Sequence, residues 1–310
     1  MGVIEVKNFT KDYGSGRGVF DISFSVKSGE VFGFLGPNGA GKSTTIRHLL
    51  GFSKPDSGTT QIFGLNTFDN YYKIMSRVGY IPGEIALPAG LTGWEFIRMV
   101  QDLQHVHNDE RLQELLQIFD LQDNVLKGET KHMSLGVKRK LAVVTAFMGD
   151  PDVLILDEPT SGLDPVMQEA FIDLIKKEKK RGKTILLSSH IFSEVDASCD
   201  RIAIIKDGKI VSEFNADDLK HSTKKFYEIS LPSMAEYNRF SKDCAKWDFV
   251  SVVKQDAGKH SITICTSDDF INQVVNKLAN YNISEFTNIK ETLEDYFMKF
   301  YKEDKEYATV

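Results

Sequence analysis

At 310 residues, with 41% apolar and 26% charged residues, the chain has the composition of a globular protein and the length for two domains of ordinary size. A formal net charge of −6 leaves no basic excess to neutralise a phosphate backbone, so nucleic acid is not expected as a partner. Three cysteines, Cys199, Cys244 and Cys265, lack C-x-x-C spacing, which indicates neither a disulfide framework nor a zinc cluster and fits a reducing compartment.

The N-terminal residues lack the apolar stretch of a signal peptide, and no run of about 18 apolar residues follows, so the chain is not expected to cross a membrane. Residues 4–9 and 20–26 alternate or are β-branched and turn-bounded, which predicts an antiparallel flap. Val31–Leu35 and residues 153–156, 184–188 and 201–205 are short apolar runs separated by helical patterns, as expected of buried strands in a parallel sheet. Between residues 91 and 147 the pattern is helical. Thr92 and Glu95 form a T-x-x-E capping box that starts an amphipathic helix through Ile97, Val100 and Leu103.

Beyond residue 214 the pattern changes to a strand at 225–231, a helix at 234–246, a strand pair at 249–254 and 261–266, a helix at 268–280 and a strand at 283–289. That order, βαββαβ, predicts a ferredoxin-like split βαβ domain. The expected domains are therefore 1–215 and 222–310. A final helix at 291–301 carries Leu293, Tyr296, Phe297 and Phe300 on one face, a stripe that needs a cover and suggests support of a dimer.

Gly36-Pro37-Asn38-Gly39-Ala40-Gly41-Lys42-Ser43-Thr44 matches G-x-x-x-x-G-K-[ST] between a strand and a helix expected to start at Thr44. Glycines let backbone N–H groups converge on phosphate oxygens, the helix N-terminus adds partial positive charge, Lys42 reaches the β/γ-phosphates and the Ser43 hydroxyl serves Mg²⁺. The pattern predicts ATP binding with Mg²⁺. At the end of the strand at 153–156, Asp157 would serve the metal and Glu158 would orient the attacking water as a general base.

Met133-Ser134-Leu135-Gly136-Val137, then Ser161-Gly162-Leu163-Asp164, then His190 after a strand complete an ordered set. Over roughly residues 1–215 these motifs resemble the ATP-binding cassette (ABC) transporter ATPases, and with the appended C-terminal domain they look most like bacterial exporters of drugs and antimicrobial peptides. The resemblance implies an α/β P-loop cassette with a parallel core sheet, an antiparallel β flap and a helical subdomain. It implies ATP hydrolysis in a head-to-tail dimer, where Ser134 and Gly136 of one cassette reach the ATP on the phosphate loop of the other. His190 would hold the γ-phosphate and water, Asp164 would communicate across the dimer, and Tyr13 would stack on adenine. The implied partner is a separate membrane-spanning permease, with this chain peripheral on the cytoplasmic face and Leu87, Leu91, Trp94 and Phe96 as candidate contacts. A soluble mechanochemical ABC ATPase is the alternative. The family usually has Gln where Gly83 stands, so that role is vacant or passes to Glu84. Leu135 and Val137 also replace a glycine and a glutamine of the signature.

Overall fold

A computed structural model describes residues 2–220, 224–289 and 292–306. Residues 222 and 291, where the sequence reading starts the second domain and the last helix, lie outside the described residues. Two compact units are present, Met1–Ala216 and Asp217–Val310.

The strands of the first unit are β1 (Ile4–Asp12), β2 (Gly18–Val26), β3 (Val31–Leu35), β4 (Ser57–Ile62), β5 (Leu65–Asn66), β6 (Val78–Ile81), β7 (Val153–Asp157), β8 (Thr184–Ser189), β9 (Arg201–Lys206) and β10 (Lys209–Asn215). One sheet is the antiparallel flap, in the order β2-β1-β4-β5. The other runs β10-β9-β3-β8-β7-β6, parallel from β9 to β6 with β10 antiparallel at its edge. Every residue of β3, β7 and β8 is buried, which is why these segments read as unbroken apolar runs rather than alternating ones. Phe24 of β2 stacks on Phe32 of β3 with ring centroids 5.2 Å apart and meets Phe34 at 5.5 Å, so one apolar cluster joins the flap to the core sheet. Each buried phenylalanine contributes about 1.5–3 kcal/mol to that junction.

The helical region is built of Gly93–Gln104, Asp109–Ile118, Asp123–Leu126 and Leu135–Phe147. Thr92 and Glu95 close the expected capping box. The apolar stripe of that helix differs from the expected one, because Leu103 is 72% exposed while Ile97 and Gln101 are buried. The i, i+4 row from Gly93 through Ile97 to Gln101 faces inward, and Leu103 falls off it. Arg111 pairs with Glu178, both buried, and so ties the helix Asp109–Ile118 to the helix Pro165–Lys180.

The second unit holds β11 (Lys224–Ser230), the helix Met234–Cys244, β12 (Ser251–Asp256), β13 (Ser261–Ser267), the helix Ile271–Leu278, β14 (Glu285–Ile289) and the helix Leu293–Glu306. Its antiparallel sheet runs β12-β13-β11-β14, so each helical crossover joins two strands that flank a third. Phe240 is fully buried, edge-on to Trp247 and Tyr281. Leu293 and Phe297 are buried within the chain while Tyr296 and Phe300 are half-buried, so only part of the stripe on which support of a dimer rests stays open. If the units fold independently, Phe240→Ala should lower the stability of the second by about 3–5 kcal/mol and leave the first untouched. Calorimetry would then show one of two transitions moving, and a common shift of both would refute independence.

Candidate functional site

The chain leaves β3 through the glycine loop and enters the helix Lys42–Leu49 two residues earlier than expected, because Gly41 adopts a left-handed φ of 112° and turns the chain sharply. A Cβ at Gly41 would meet Val19 Cγ1 at 2.6 Å, so the flap also forbids a side chain there. Lys42 and Ser43 consequently occupy the first turn, where backbone N–H groups have no intrahelical partner. Pro37, Asn38, Gly39 and Ser43 are exposed, Thr44 is half-buried, and Gly36 and Ala40 are buried beneath them.

Lys42 Nζ donates to Gly36 O at 2.6 Å and Pro37 O at 3.2 Å, and lies 3.0 Å from Glu158 Oε1. The last contact is an ion pair rather than an aligned hydrogen bond, because Oε1 has no properly directed donor. The other oxygen, Oε2, is 2.6 Å from Nδ1 of the half-exposed His190. Glu158 itself has a φ of 49°, a conformation a non-glycine residue adopts only when its surroundings impose it. Here its N–H donates to Ser188 O at 3.0 Å, which locks the turn.

Asp157 is buried, and Ser188 Oγ donates to its Oδ1 at 2.5 Å. A Cβ on Gly83 would lie 3.1 Å from Asp157 Oδ2, so the turn after β6 abuts that carboxylate. Glu84 is exposed. The donor chemistry suits a magnesium ion: a hydroxyl at Ser43 and a carboxylate at Asp157 are hard oxygen ligands. No cluster of three or more His, Cys, Asp or Glu among the described residues could hold a metal unaided, so phosphate oxygens would have to supply further ligands.

A second group of motif residues lies together. Ser134 is exposed and caps the helix Leu135–Phe147, accepting from Val137 N at 3.3 Å. A Cβ on Gly136 would stand 3.2 Å from Gly162 O, so the signature rests on the turn leading to Asp164. Asp164 caps the next helix by accepting from Met167 N at 3.1 Å. Tyr13 stands apart, 57% exposed, with Lys11 Nζ 5.7 Å from its ring centroid.

The ABC transporter family matches residues 19–161. The bacitracin transport ATP-binding protein BcrA of Bacillus licheniformis is 41% identical over 230 residues, 74% of this chain and 75% of that one. The chain belongs to the ABC transporter ATP-binding proteins. As a member of that family it is an ATPase built on the cassette fold. The uncharacterized ABC transporter ATP-binding protein YhcH of Bacillus subtilis is 34% identical over 98% of this chain and 97% of its own length, a match that includes the second unit. A dimeric cassette in a post-hydrolysis state bound to ADP and Pi superposes with a TM-score of 0.63 at 25% identity, over 69% of this chain and 98% of its own. Among the described residues no helix is long and apolar enough to cross a membrane.

Three residues of the cassette site were missed in the sequence: Ser188, Arg139 and Glu194. The serine pair before His190 was the available signal for Ser188, while nothing local marks the other two. Glu194 is buried beside the site and accepts from Ser189 Oγ at 2.6 Å. Burial pushes its carboxyl from 4.5 up to about 7; the Ser189 and Thr160 hydroxyls pull it down, Glu158 adds to the rise and His190 opposes it. The unfolded chain ionises first as pH climbs from 4.5, so this group's contribution is fully present below that pH and is lost by about 7. Glu194→Gln should therefore gain stability over wild type by roughly 2–3 kcal/mol between pH 4.5 and 8. Denaturant melts at those two pH values check it, and a constant difference would refute it.

Proposed function

We propose that this chain is the energy-coupling subunit of an exporter, made of a cassette at 1–215 and an accessory domain at 222–310, and that two cassettes close head to tail on two ATP molecules. The observation that carries the reading is Glu158, whose two oxygens meet Lys42 and His190 at the rim of the phosphate loop.

In this reading the backbone N–H groups from Asn38 to Thr44 wrap the phosphates, Lys42 neutralises the β/γ-oxygens and Tyr13 offers its exposed ring to adenine. Ser43 and Asp157 would hold Mg²⁺, which when bound neutralises phosphate charge. The triphosphate competes with Glu158 for the Lys42 ammonium. The carboxylate, freed from Lys42, then takes a proton from the attacking water, whose oxygen bonds to the γ-phosphorus as the bond to the ADP oxygen breaks. His190, held by Glu158, positions that water and the γ-phosphate. Ser134 and Gly136 present a helix N-terminus to the ATP of the other subunit, and Asp164 carries the cross-subunit contact.

The permease would meet the region following β6. A cleft of about 280 Å³ opens there, lined among others by Tyr80, Pro82, Ile85, Leu87 and Phe96. Trp94 is a poorer contact, because its Nε1 donor is already committed to Asp123 Oδ1 at 2.8 Å. The bacitracin-transport name of the relative supports a drug or peptide cargo, with this subunit peripheral on the cytoplasmic face of the membrane.

Glu158→Gln should retain MgATP, accumulate as dimers in size-exclusion chromatography and turn over about 100-fold more slowly, since an amide cannot take the proton. Lys42→Ala should instead bind ATP poorly. Equal and near wild-type turnover of both variants would remove these roles.

A further inference from the structure

Arg139 is the largest fully buried side chain among the described residues, and it lies on the signature helix five residues after the Ser134 cap. A buried guanidinium usually faces a carboxylate. This one has no ion pair within 4.0 Å among the described residues, although Asp157 and Glu158 are near enough to oppose the effect of burial, which pulls its pKa below the usual value. Its donors go to main-chain carbonyls instead: Nε to Ser161 O at 2.9 Å, Nη1 to Pro82 O at 2.8 Å and Nη2 to Gly83 O at 2.7 Å.

Each of those carbonyls belongs to a turn that touches the site. The Pro82–Gly83 turn abuts Asp157 Oδ2, and no side chain at Gly83 can anchor it. The N–H of Ser161 donates to Glu158 O at 3.2 Å, and the chain continues from there to Asp164. The third segment is the signature helix itself. A planar fork of donors can hold three carbonyls of two separate turns at once, which a point charge on a flexible stem cannot do.

We propose that Arg139 is a positioning residue that clamps the Gly83 turn, the Ser161 turn and the Ser134 cap into one unit, so that the nucleotide site and the surface offered to the second subunit move together. The proposal rests on the functional reading above. It adds that coupling between the two surfaces runs through main-chain carbonyls held by one cation. Among the described residues, no other side chain hydrogen-bonds to both turns.

The test uses the full chain with Arg139→Lys, which keeps the charge and loses the fork, and Arg139→Met, which keeps the apolar stem. Thermal melting, affinity for the fluorescent probe trinitrophenyl-ATP and steady-state ATPase are measured for each, and for Arg139→Lys combined with Asp164→Ala. The expected result is a folded Arg139→Lys protein whose probe affinity stays within about threefold while kcat falls about tenfold, with the double variant no slower than Asp164→Ala alone. Losses that multiply in the double variant, or a kcat equal to wild type, would overturn the clamp. So would probe affinity and kcat falling in parallel with the melting temperature in both Arg139→Lys and Arg139→Met. Wild-type hydrolysis reports on the functional reading by itself, whereas only the variant ratios report on Arg139.

Discussion

The parallel ladder that sets β8 between β3 and β7 is the constraint on which the rest of the site depends. Leu35 pairs with Ser189 and Asp157 with Ser188, so the C-terminal ends of three inner strands come level at one end of the sheet. The phosphate loop leaves one of them, the carboxylate pair ends another, and His190 follows the third. Ser188 and Ser189 then serve opposite directions, as side chains must on successive residues of a strand: one hydroxyl goes to Asp157 and the other to Glu194. A one-residue slip of β8 would exchange these faces and leave Asp157 without its donor.

Charge at this end of the sheet is handled largely by the backbone. Lys42 is cradled by the carbonyls of Gly36 and Pro37, and Arg139 by those of Pro82, Gly83 and Ser161. Carbonyl dipoles stabilise a buried cation without neutralising it, so the positive potential still reaches Asp157 and Glu158. Glu158 is shared between Lys42 and His190 rather than committed to either. A carboxylate bound by an ammonium and an imidazole can release one of them to a phosphate and still remain oriented by the other.

The parts of the site legible in the sequence are those whose chemistry is contiguous. The phosphate loop, the Asp157–Glu158 pair at a strand end and the Thr92–Glu95 capping box each occupy a few residues, and their physics is local. The strands of both sheets were partly legible for the same reason, but β4 and β5, poor in long apolar runs, show themselves only once β4 is paired with β1 and β5 with β4. Arg139 was invisible because its partners lie 22, 56 and 57 positions away and are carbonyls, which every residue has. Glu194 had no signal in the sequence, since its burial depends on how its helix, Phe192–Ser198, meets the sheet. Leu103 shows the opposite error, an apolar residue placed inside by periodicity although the helix ends at Gln104 and turns it to solvent.

The two unusual signature positions follow from the same geometry. At Gly136 a Cβ would press within 3.2 Å of a backbone oxygen, Gly162 O, and Gly162 has a φ of 85° that excludes most side chains. These two glycines meet face to face and neither can change without moving the turn that leads to Asp164. Position 135 is under no such limit: Leu135 is exposed, and its side chain covers the Gly162 turn from outside, 3.2 Å from where a Cβ there would stand. In the proposed function the anion contact of this segment would come from Ser134 and the N–H groups of Leu135 and Gly136, which leucine supplies as well as glycine does, while the Val137 N–H is already bound to Ser134 Oγ. Substitution is therefore tolerated where the signature offers only its backbone and resisted where two backbones touch.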